Sequence, residues 1–378
     1  MKCPRCLNED DSYFYYGSKG WICRRCISFK RVLIEEEMDN NIDIEISEDC
    51  EEYLLKYPLT ALQKEISFKC KNNIDNNDVL IEAICGSGKT EIVMETIAYM
   101  LKTKRKVCFA ISRKQVVLEL YERLRKVFTK AKVVRVCQGY TSDIYGDIII
   151  CTTHQCYRYY HFFDCLILDE CDAFPYKNNV VLEGIVRSSC IGHMVYLTAT
   201  IDDYLKSRIA ANSIVHLTLN KRPHGHDLIV PKCFNGYKWL LIIRLIQWIN
   251  KQIDHQIIVF VPTIKMSKYL YYFLKMFYPC EYVNSKSNNN DIKIQAFKDK
   301  KYHVLIATTI LERGITIENV NVAVLFANHR VFDEASLVQI SGRVGRSFKY
   351  PDGECLFLCD QRSNEVDKCI RKCEAANA

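Results

Sequence analysis

Hydrophobic and polar positions along this chain fall into a repeated alternation. Short apolar runs, Val79 to Ile84, Lys106 to Ile111, Val133 to Val136, Asp147 to Cys151, Cys165 to Leu168 and Met194 to Leu197, are separated by segments with apolar residues at helical spacing. The runs are brief and rich in β-branched residues, so each reads as a buried strand, and the spaced segments read as amphipathic helices. Strands alternating with helices imply right-handed crossover units and a mainly parallel sheet. A polar, proline-containing break, Asn220-Lys-Arg-Pro-His-Gly-His-Asp-Leu-Ile-Val-Pro231, interrupts the pattern. Beyond it the style resumes, with a helix near Lys238 to Asn250, a strand at Gln256 to Val261 and a helix at Lys268 to Phe277. Strands at Tyr302 to Ala307 and Val320 to Phe326 follow, then a helix carrying Arg343. The pattern predicts an α/β protein with two lobes of one style.

A chain of 378 residues has room for two core-forming domains and a small module. The predicted organisation is a cysteine module over 1–31, an acidic linker over 32–52, a first lobe over 53–219, an interlobe linker over 220–235 and a second lobe over 236–378. No apolar run approaches the ~20 residues that span a bilayer. Met1-Lys-Cys-Pro-Arg5 lacks the apolar stretch of a signal peptide, so a cytoplasmic location is expected. Most of the 20 cysteines, such as Cys85, Cys108, Cys137, Cys151, Cys165 and Cys190, sit singly in apolar segments and read as small hydrophobes in a reducing compartment.

Charge changes the picture in one respect. Glu35 to Glu52 holds ten acidic residues and no Lys or Arg, so subtracting it from the net +7 leaves +17 on the rest of the chain. That balance favours a nucleic-acid partner. The acidic stretch itself reads as a solvated linker extended by self-repulsion.

The first four cysteines are arranged for a purpose. Cys3-Pro-Arg-Cys6 and Cys23-Arg-Arg-Cys26 form a C-x₂-C-x₁₆-C-x₂-C array, the spacing of a four-thiolate Zn²⁺ ribbon. One tetrahedral ion replaces the core that so short a segment cannot build. Between the knuckles lie Tyr13, Phe14, Tyr15, Tyr16 and Trp21, with Arg5, Lys19, Arg24, Arg25, Lys30 and Arg31 around them. Aromatics among cations suit base stacking and phosphate contact with a single strand, and equally suit packing of the ribbon itself or docking it on the body.

Three phosphate-handling segments carry the chemistry. Ala83-Ile-Cys-Gly-Ser-Gly-Lys-Thr90 lies between an apolar run and a helical pattern, the context of a P-loop. Gly86, Ser87 and Gly88 let backbone N–H groups approach the phosphates of ATP, Lys89 reaches the β- and γ-phosphates, and Thr90 offers a hydroxyl to Mg²⁺. Asp169-Glu-Cys-Asp172 ends a buried strand, making Asp169 the Mg²⁺-holding carboxylate and Glu170 the base that polarises the attacking water. Gln339-Ile-Ser-Gly-Arg-Val-Gly-Arg346 has arginines three apart, which a helix would put on one face; Arg343 and Arg346 then suit γ-phosphate stabilisation.

Together these residues resemble superfamily 2 helicases, which implies two RecA-like P-loop lobes acting on ATP. Under that resemblance Gln63, in Leu59-Thr-Ala-Leu-Gln63, reads the adenine. Ser112, Arg113, Thr152, Thr153 and His154 grip the nucleic-acid backbone from the first lobe, and Thr198-Ala-Thr200 links hydrolysis to strand movement. Thr263 in Phe260-Val-Pro-Thr263, with Thr308 and Thr309 in Thr308-Thr-Ile-Leu-Glu-Arg-Gly-Ile-Thr316, grips that backbone from the second lobe, and Gly314 lies near the nucleotide. The ribbon before the motor, Arg222-Pro-His-Gly225 and Leu311-Glu-Arg-Gly314 are similar to the ComFA family of late-competence ATPases. That resemblance implies translocation on single-stranded DNA at the inner face of the cell membrane, importing transforming DNA, with the channel ComEC and the protein ComFC as partners. The alternative is a PriA-like replication-restart DNA helicase. That family places its zinc cysteines between second-lobe segments, on a much longer chain.

Overall fold

Strand-forming stretches build three sheets among the residues described by the computed structural model, 1–35, 44–223, 225–252, 254–309, 317–347 and 349–377. The smallest is a hairpin of β1 (Phe14–Gly17) and β2 (Gly20–Cys23). A seven-stranded parallel sheet contains β3 (Val79–Ala83), β4 (Val107–Ile111), β5 (Val133–Val136), β6 (Ile148–Thr152), β7 (Phe163–Asp169), β8 (Cys190–Thr198) and β9 (Val215–Leu219). Its spatial order is β5-β6-β4-β7-β8-β3-β9. Its helices are α1 (Ala61–Asn73), α2 (Lys89–Ile92), α3 (Met94–Lys102), α4 (Lys114–Val127), α5 (Val180–Ser189) and α6 (Asp203–Ala210).

A six-stranded parallel sheet contains β10 (Lys232–Asn235), β11 (Gln256–Phe260), β12 (Cys280–Val283), β13 (Val304–Ala307), β14 (Val320–Leu325) and β15 (Cys355–Cys359), in the order β10-β15-β14-β11-β13-β12. Its helices are α7 (Lys238–Ile249), α8 (Ile264–Leu274), α9 (Asn290–Lys298), α10 (Glu334–Ser341) and α11 (Asn364–Asn377). The chain divides into two compact units, Met1–Ala83 with Gly88–Leu219, and Ile84–Ser87 with Asn220–Ala378. No described helix is long and apolar enough to cross a membrane.

The strands β9, β10 and β12, outside that apolar pattern, lie at sheet edges. An edge strand is covered incompletely, so it lacks the continuous apolar run of an inner parallel strand. Partial exposure along β9 and β10 agrees with that account.

Each face of the seven-stranded sheet has its own core. One holds Ile81, Ile97, Phe109, Ile150 and Ile167, and the other Leu80, Cys108, Cys151, Leu166 and Leu168. Phe14 and the four ribbon cysteines belong to the second core, so the ribbon is built into the lobe. The fit is tight: a Cβ added to Gly184 of α5 would lie 2.0 Å from the Cys6 carbonyl oxygen. On the next turn of α5 the Ser188 hydroxyl donates to the Arg5 carbonyl at 2.6 Å.

Residues 36–43 of the acidic stretch lie outside the described residues, and the described remainder departs from the expected solvated form. Ile46 and Cys50 are buried in the first core, and the Ser47 N–H donates to Asp147 at 2.9 Å. Lys104 donates to the Ile46 and Ser47 carbonyls, both at 3.1 Å. Apolar residues between the acids supply burial that outweighs their self-repulsion.

Candidate functional site

Register in the first sheet brings strand ends into one row. Ile111 pairs with both Thr152 and Asp169, Asp169 with Leu197, and Glu82 with Thr198. The C-terminal ends of β6, β4, β7, β8 and β3 are therefore level, and Thr152–His154, Ser112–Arg113, Asp169–Glu170, Thr198–Thr200 and the glycine loop all leave from that edge. In open parallel α/β sheets this is the edge where ligands bind.

At the glycine loop, Gly86 and Gly88 have φ of 81° and 82°, backbone that side chains rarely adopt. The Lys89 ammonium donates to the Ala83 carbonyl at 3.0 Å, bending back over the start of the loop. Gln63 closes a capping box at the start of α1, its side-chain oxygen accepting from the Thr60 N–H at 2.9 Å. Its amide nitrogen would lie 2.6 Å from a Cβ on Gly88, so Gln63 abuts the loop. Ser87 is buried and Thr90 half-buried.

Burial first, and the adjacent Glu170 carboxylate second, push Asp169 up to about 7, opposed by Lys89. Two crowded carboxylates within reach of the Lys89 charge are oxygen donors of the kind that a divalent cation such as Mg²⁺ takes. Glu170 adopts φ 56°, a conformation that costs free energy in a non-glycine residue. It is held by two bonds from its N–H, to Leu197 O at 3.0 Å and to Asp169 Oδ1 at 2.9 Å. The Thr200 hydroxyl donates to Asp172 at 2.7 Å, and the Thr198 hydroxyl donates to the Thr200 carbonyl at 2.7 Å. Asp172 thus ties the acidic turn to Thr198–Thr200, a link that sequence reading missed although both segments were in view.

The polymer-facing candidates divide by exposure. Ser112, Thr152 and Thr153 are buried, and the Ser112 and Thr153 hydroxyls make no hydrogen bond among the described residues. His154 is half-buried, and burial lowers its pKa, keeping the ring neutral. Arg113 precedes α4 as its N-cap residue. In the second unit, Phe260 pairs with Ala307, which brings Thr263 and Thr308 to one sheet edge. Thr263 is exposed and caps α8 by accepting from the Met266 N–H at 3.1 Å. Thr308 is buried and Thr309 half-buried, while Gly314 lies outside the described residues.

The arginine segment is not the expected helix. Helix α10 ends at Ser341, Gly342 is its C-cap, and Gly345 takes φ 66°. Two glycines within four residues stop the helix, so Arg343 and Arg346 sit on turns, the first buried and the second half-buried. Arg222 fastens those turns inside the second unit, donating to the carbonyls of Gly342 at 3.1 Å, Val344 at 3.0 Å and Gly345 at 2.7 Å, and to Cys85 O at 3.1 Å. Burial lowers it to about 10.

The ribbon cysteines converge. Cys3 and Cys26 sulfurs are 3.7 Å apart, Cys6 and Cys23 sulfurs 3.8 Å, and all four lie within 4.8 Å of one another. A tetrahedron with Zn–S of about 2.3 Å has edges of about 3.8 Å, so the quartet fits Zn²⁺. Of the ribbon aromatics, Phe14 is buried, whereas Tyr13, Tyr15 and Tyr16 are exposed. Arg24 stacks on Tyr15 at 4.2 Å and Arg25 on Tyr13 at 4.9 Å.

Comparison with known proteins agrees with this geometry. Residues 238–348 match the Helicase conserved C-terminal domain, and residues 56–203 match the Type III restriction enzyme, res subunit. The chain is 34% identical to Competence protein ComFA of Streptococcus pneumoniae (strain ATCC BAA-255 / R6), covering 99% of this chain and 90% of that protein. It is 32% identical to Competence protein ComFA of Bacillus subtilis (strain 168), covering 94% and 81%. Among solved structures, S. cerevisiae Dbp5 bound to RNA and ADP BeF3 superposes with TM-score 0.62 at 17% identity, covering 86% of this chain and 88% of that one. RecG bound to a three-way DNA junction superposes with TM-score 0.60 at 17% identity, over 85% of this chain and 47% of that one. These likenesses show the fold, two RecA-like lobes of a superfamily 2 helicase.

Proposed function

The chain belongs to the ComFA family and is an ATP-hydrolysing helicase or translocase, and we propose that it moves along single-stranded DNA to import transforming DNA during natural competence. The observation that carries this reading is the level edge of the first sheet, from which the glycine loop, the acid pair and the Thr152–His154 turn all emerge. Chemistry and polymer contact then share one rigid platform.

In this reading Gly86, Ser87 and Gly88 present backbone N–H groups to the phosphates of ATP, Lys89 leaves the Ala83 carbonyl to reach them, and Gln63 reads the adenine. Asp169 and Thr90 hold Mg²⁺, which when bound neutralises charge on the phosphates. Glu170, its backbone fixed by Leu197 and Asp169, polarises the attacking water, and Arg343 and Arg346 stabilise charge on the γ-phosphate. Asp172 and Thr200 pass the state of the acidic turn to Thr198–Thr200. Thr152–His154 with Arg113, and Thr263 with Thr308 and Thr309, grip the strand in alternation. The ribbon quartet holds Zn²⁺, which cross-links its knuckles, and its outward Tyr13, Tyr15, Arg24 and Arg25 meet bases and phosphates. The expected partners are the ComEC channel at the inner face of the membrane and ComFC.

The PriA-like alternative is not favoured, because relatives that span nearly the whole chain are ComFA proteins. The test is ATP hydrolysis by the purified protein alone and with single-stranded DNA, single-stranded RNA or duplex DNA. Stimulation by single-stranded DNA is expected, with Lys89→Ala and Glu170→Gln each losing at least ~10²-fold in rate. Normal hydrolysis by either variant overturns the catalytic assignment, and preference for RNA overturns the substrate.

A further inference from the structure

The ribbon touches the Thr152–His154 turn directly. The Phe29 ring lies 5.9 Å from the His154 ring at 29° between planes, a stacked pair, and 5.9 Å from the Tyr157 ring. Both partners stand on the 3₁₀ turn Thr153–Arg158 that leaves the sheet edge. Phe29 is itself held from the opposite knuckle. Arg5, between Cys3 and Cys6, donates to the carbonyls of Phe29 at 2.9 Å and Lys30 at 2.6 Å. The Arg5 guanidinium also faces the Tyr157 ring at 5.9 Å, and its backbone carbonyl is anchored by Ser188 of α5 at 2.6 Å.

These contacts form one mechanical path: α5 fixes the first knuckle, Arg5 of that knuckle fixes the segment after the last, and Phe29 of that segment braces the turn. A 3₁₀ turn has poorer hydrogen-bond geometry than an α-helix, so outside bracing decides how well it is defined. Thr153 is fully buried and leaves no side chain to adjust to a polymer, so the turn's backbone has to be placed in advance.

We propose that Phe29 is a positioning residue for single-strand binding, acting through His154 and Tyr157, so that the ribbon presets the nucleic-acid grip of the motor lobe. The proposal rests on the reading of Thr152–His154 as a polymer contact. The ribbon is then part of the binding machinery without every ribbon residue touching the strand, and ATP chemistry at Lys89, Asp169 and Glu170 does not depend on it.

The experiment is a titration of ATPase rate against an oligothymidine strand for wild type, Phe29→Ala, Phe29→Leu and Phe29→Tyr. Expected for Phe29→Ala is a rise of about tenfold in the strand concentration giving half-maximal stimulation, equivalent to about 1.4 kcal/mol. Rate without DNA and rate at saturating DNA stay at wild-type levels, and Phe29→Tyr restores the wild-type midpoint. Phe29→Leu keeps most of the volume and loses the ring, so it follows Phe29→Ala and serves as the reading if the alanine variant does not fold. An unchanged midpoint in Phe29→Ala, or a fall in DNA-free rate matching the fall in stimulated rate, overturns the proposal. A wild-type protein that no strand stimulates overturns the underlying reading as well, which separates the two failures.

Discussion

Two thiol clusters share one core, and only one of them has the marks of a metal site. The ribbon quartet, Cys3, Cys6, Cys23 and Cys26, has sulfur separations of 3.7 and 3.8 Å. The sheet trio, Cys108, Cys151 and Cys156, has separations of 3.6 Å from Cys151 to each of the others. Distance alone therefore does not separate them. The quartet comes from two tight turns in a segment whose hairpin is too small to stand alone. The trio comes from β4, β6 and the adjoining turn, whose places are already set by ladders such as Cys108 with Ile149 and Ala110 with Cys151. Burial pushes the Cys108 thiol well up, whereas hydrogen bonds from Cys108 and Cys151 pull Cys156 down, so titration does not separate the clusters either. A structural ion is needed where chain and core are otherwise insufficient, and is superfluous where a sheet has already placed the sulfurs.

The largest expected effect separates the two clusters by metal. Purified protein is expected to carry one zinc per chain by elemental analysis, absent from Cys23→Ala/Cys26→Ala. Loss of the ion removes about 10 kcal/mol of binding free energy from the ribbon. Hydrogen exchange should then rise throughout residues 1–35, while amides of β4, β6 and β7 keep their protection. Two zinc ions per chain, or protection lost equally in ribbon and sheet, would erase the distinction.

How much of this was legible beforehand follows from the range of the interactions. The quartet, the P-loop and the acid pair were readable because their chemistry lies within a few residues of contiguous sequence, flanked by apolar runs. Inner strands were readable for the same reason, as was the edge strand β5; the edge strands β9, β10 and β12, each partly exposed, were not. The Arg343 and Arg346 spacing suggested a helix, but Gly345, at φ 66°, breaks helical geometry between them. Burial of Ile46 and Cys50 was hidden by their acidic neighbours. Docking of the ribbon on the body was one of the readings its aromatics left open, but its contacts were not legible, because Cys6 meets Gly184 and Phe29 meets His154 across long separations in sequence.

An intermediate effect tests the docking apart from the metal. Gly184→Ala places a methyl 2.0 Å from the Cys6 carbonyl oxygen, and backbone on both sides leaves no flexible group to move aside. The expected cost is about 3 kcal/mol, read as a lowered unfolding midpoint in urea at unchanged slope. Zinc content should remain at one per chain, since the knuckles keep their own geometry. A wild-type midpoint would mean that the ribbon is not seated on α5 in solution.

The smallest effect belongs to the trio. Cys151→Ala removes one buried sulfur whose neighbours, Cys108 and Cys156, touch it without depending on it for position. The cost should be about 1 kcal/mol, the scale of deleting one buried heavy atom from a packed core. Zinc content and DNA-stimulated hydrolysis are expected at wild-type values. If the trio bound a metal through thiolates, removing one ligand would strand two buried charges and cost several times more. A loss above about 3 kcal/mol, or a drop in metal content, would therefore make the sheet cluster a second site and not a set of core thiols, whereas a loss near 1 kcal/mol leaves the quartet as the place where sulfur and fold depend on each other.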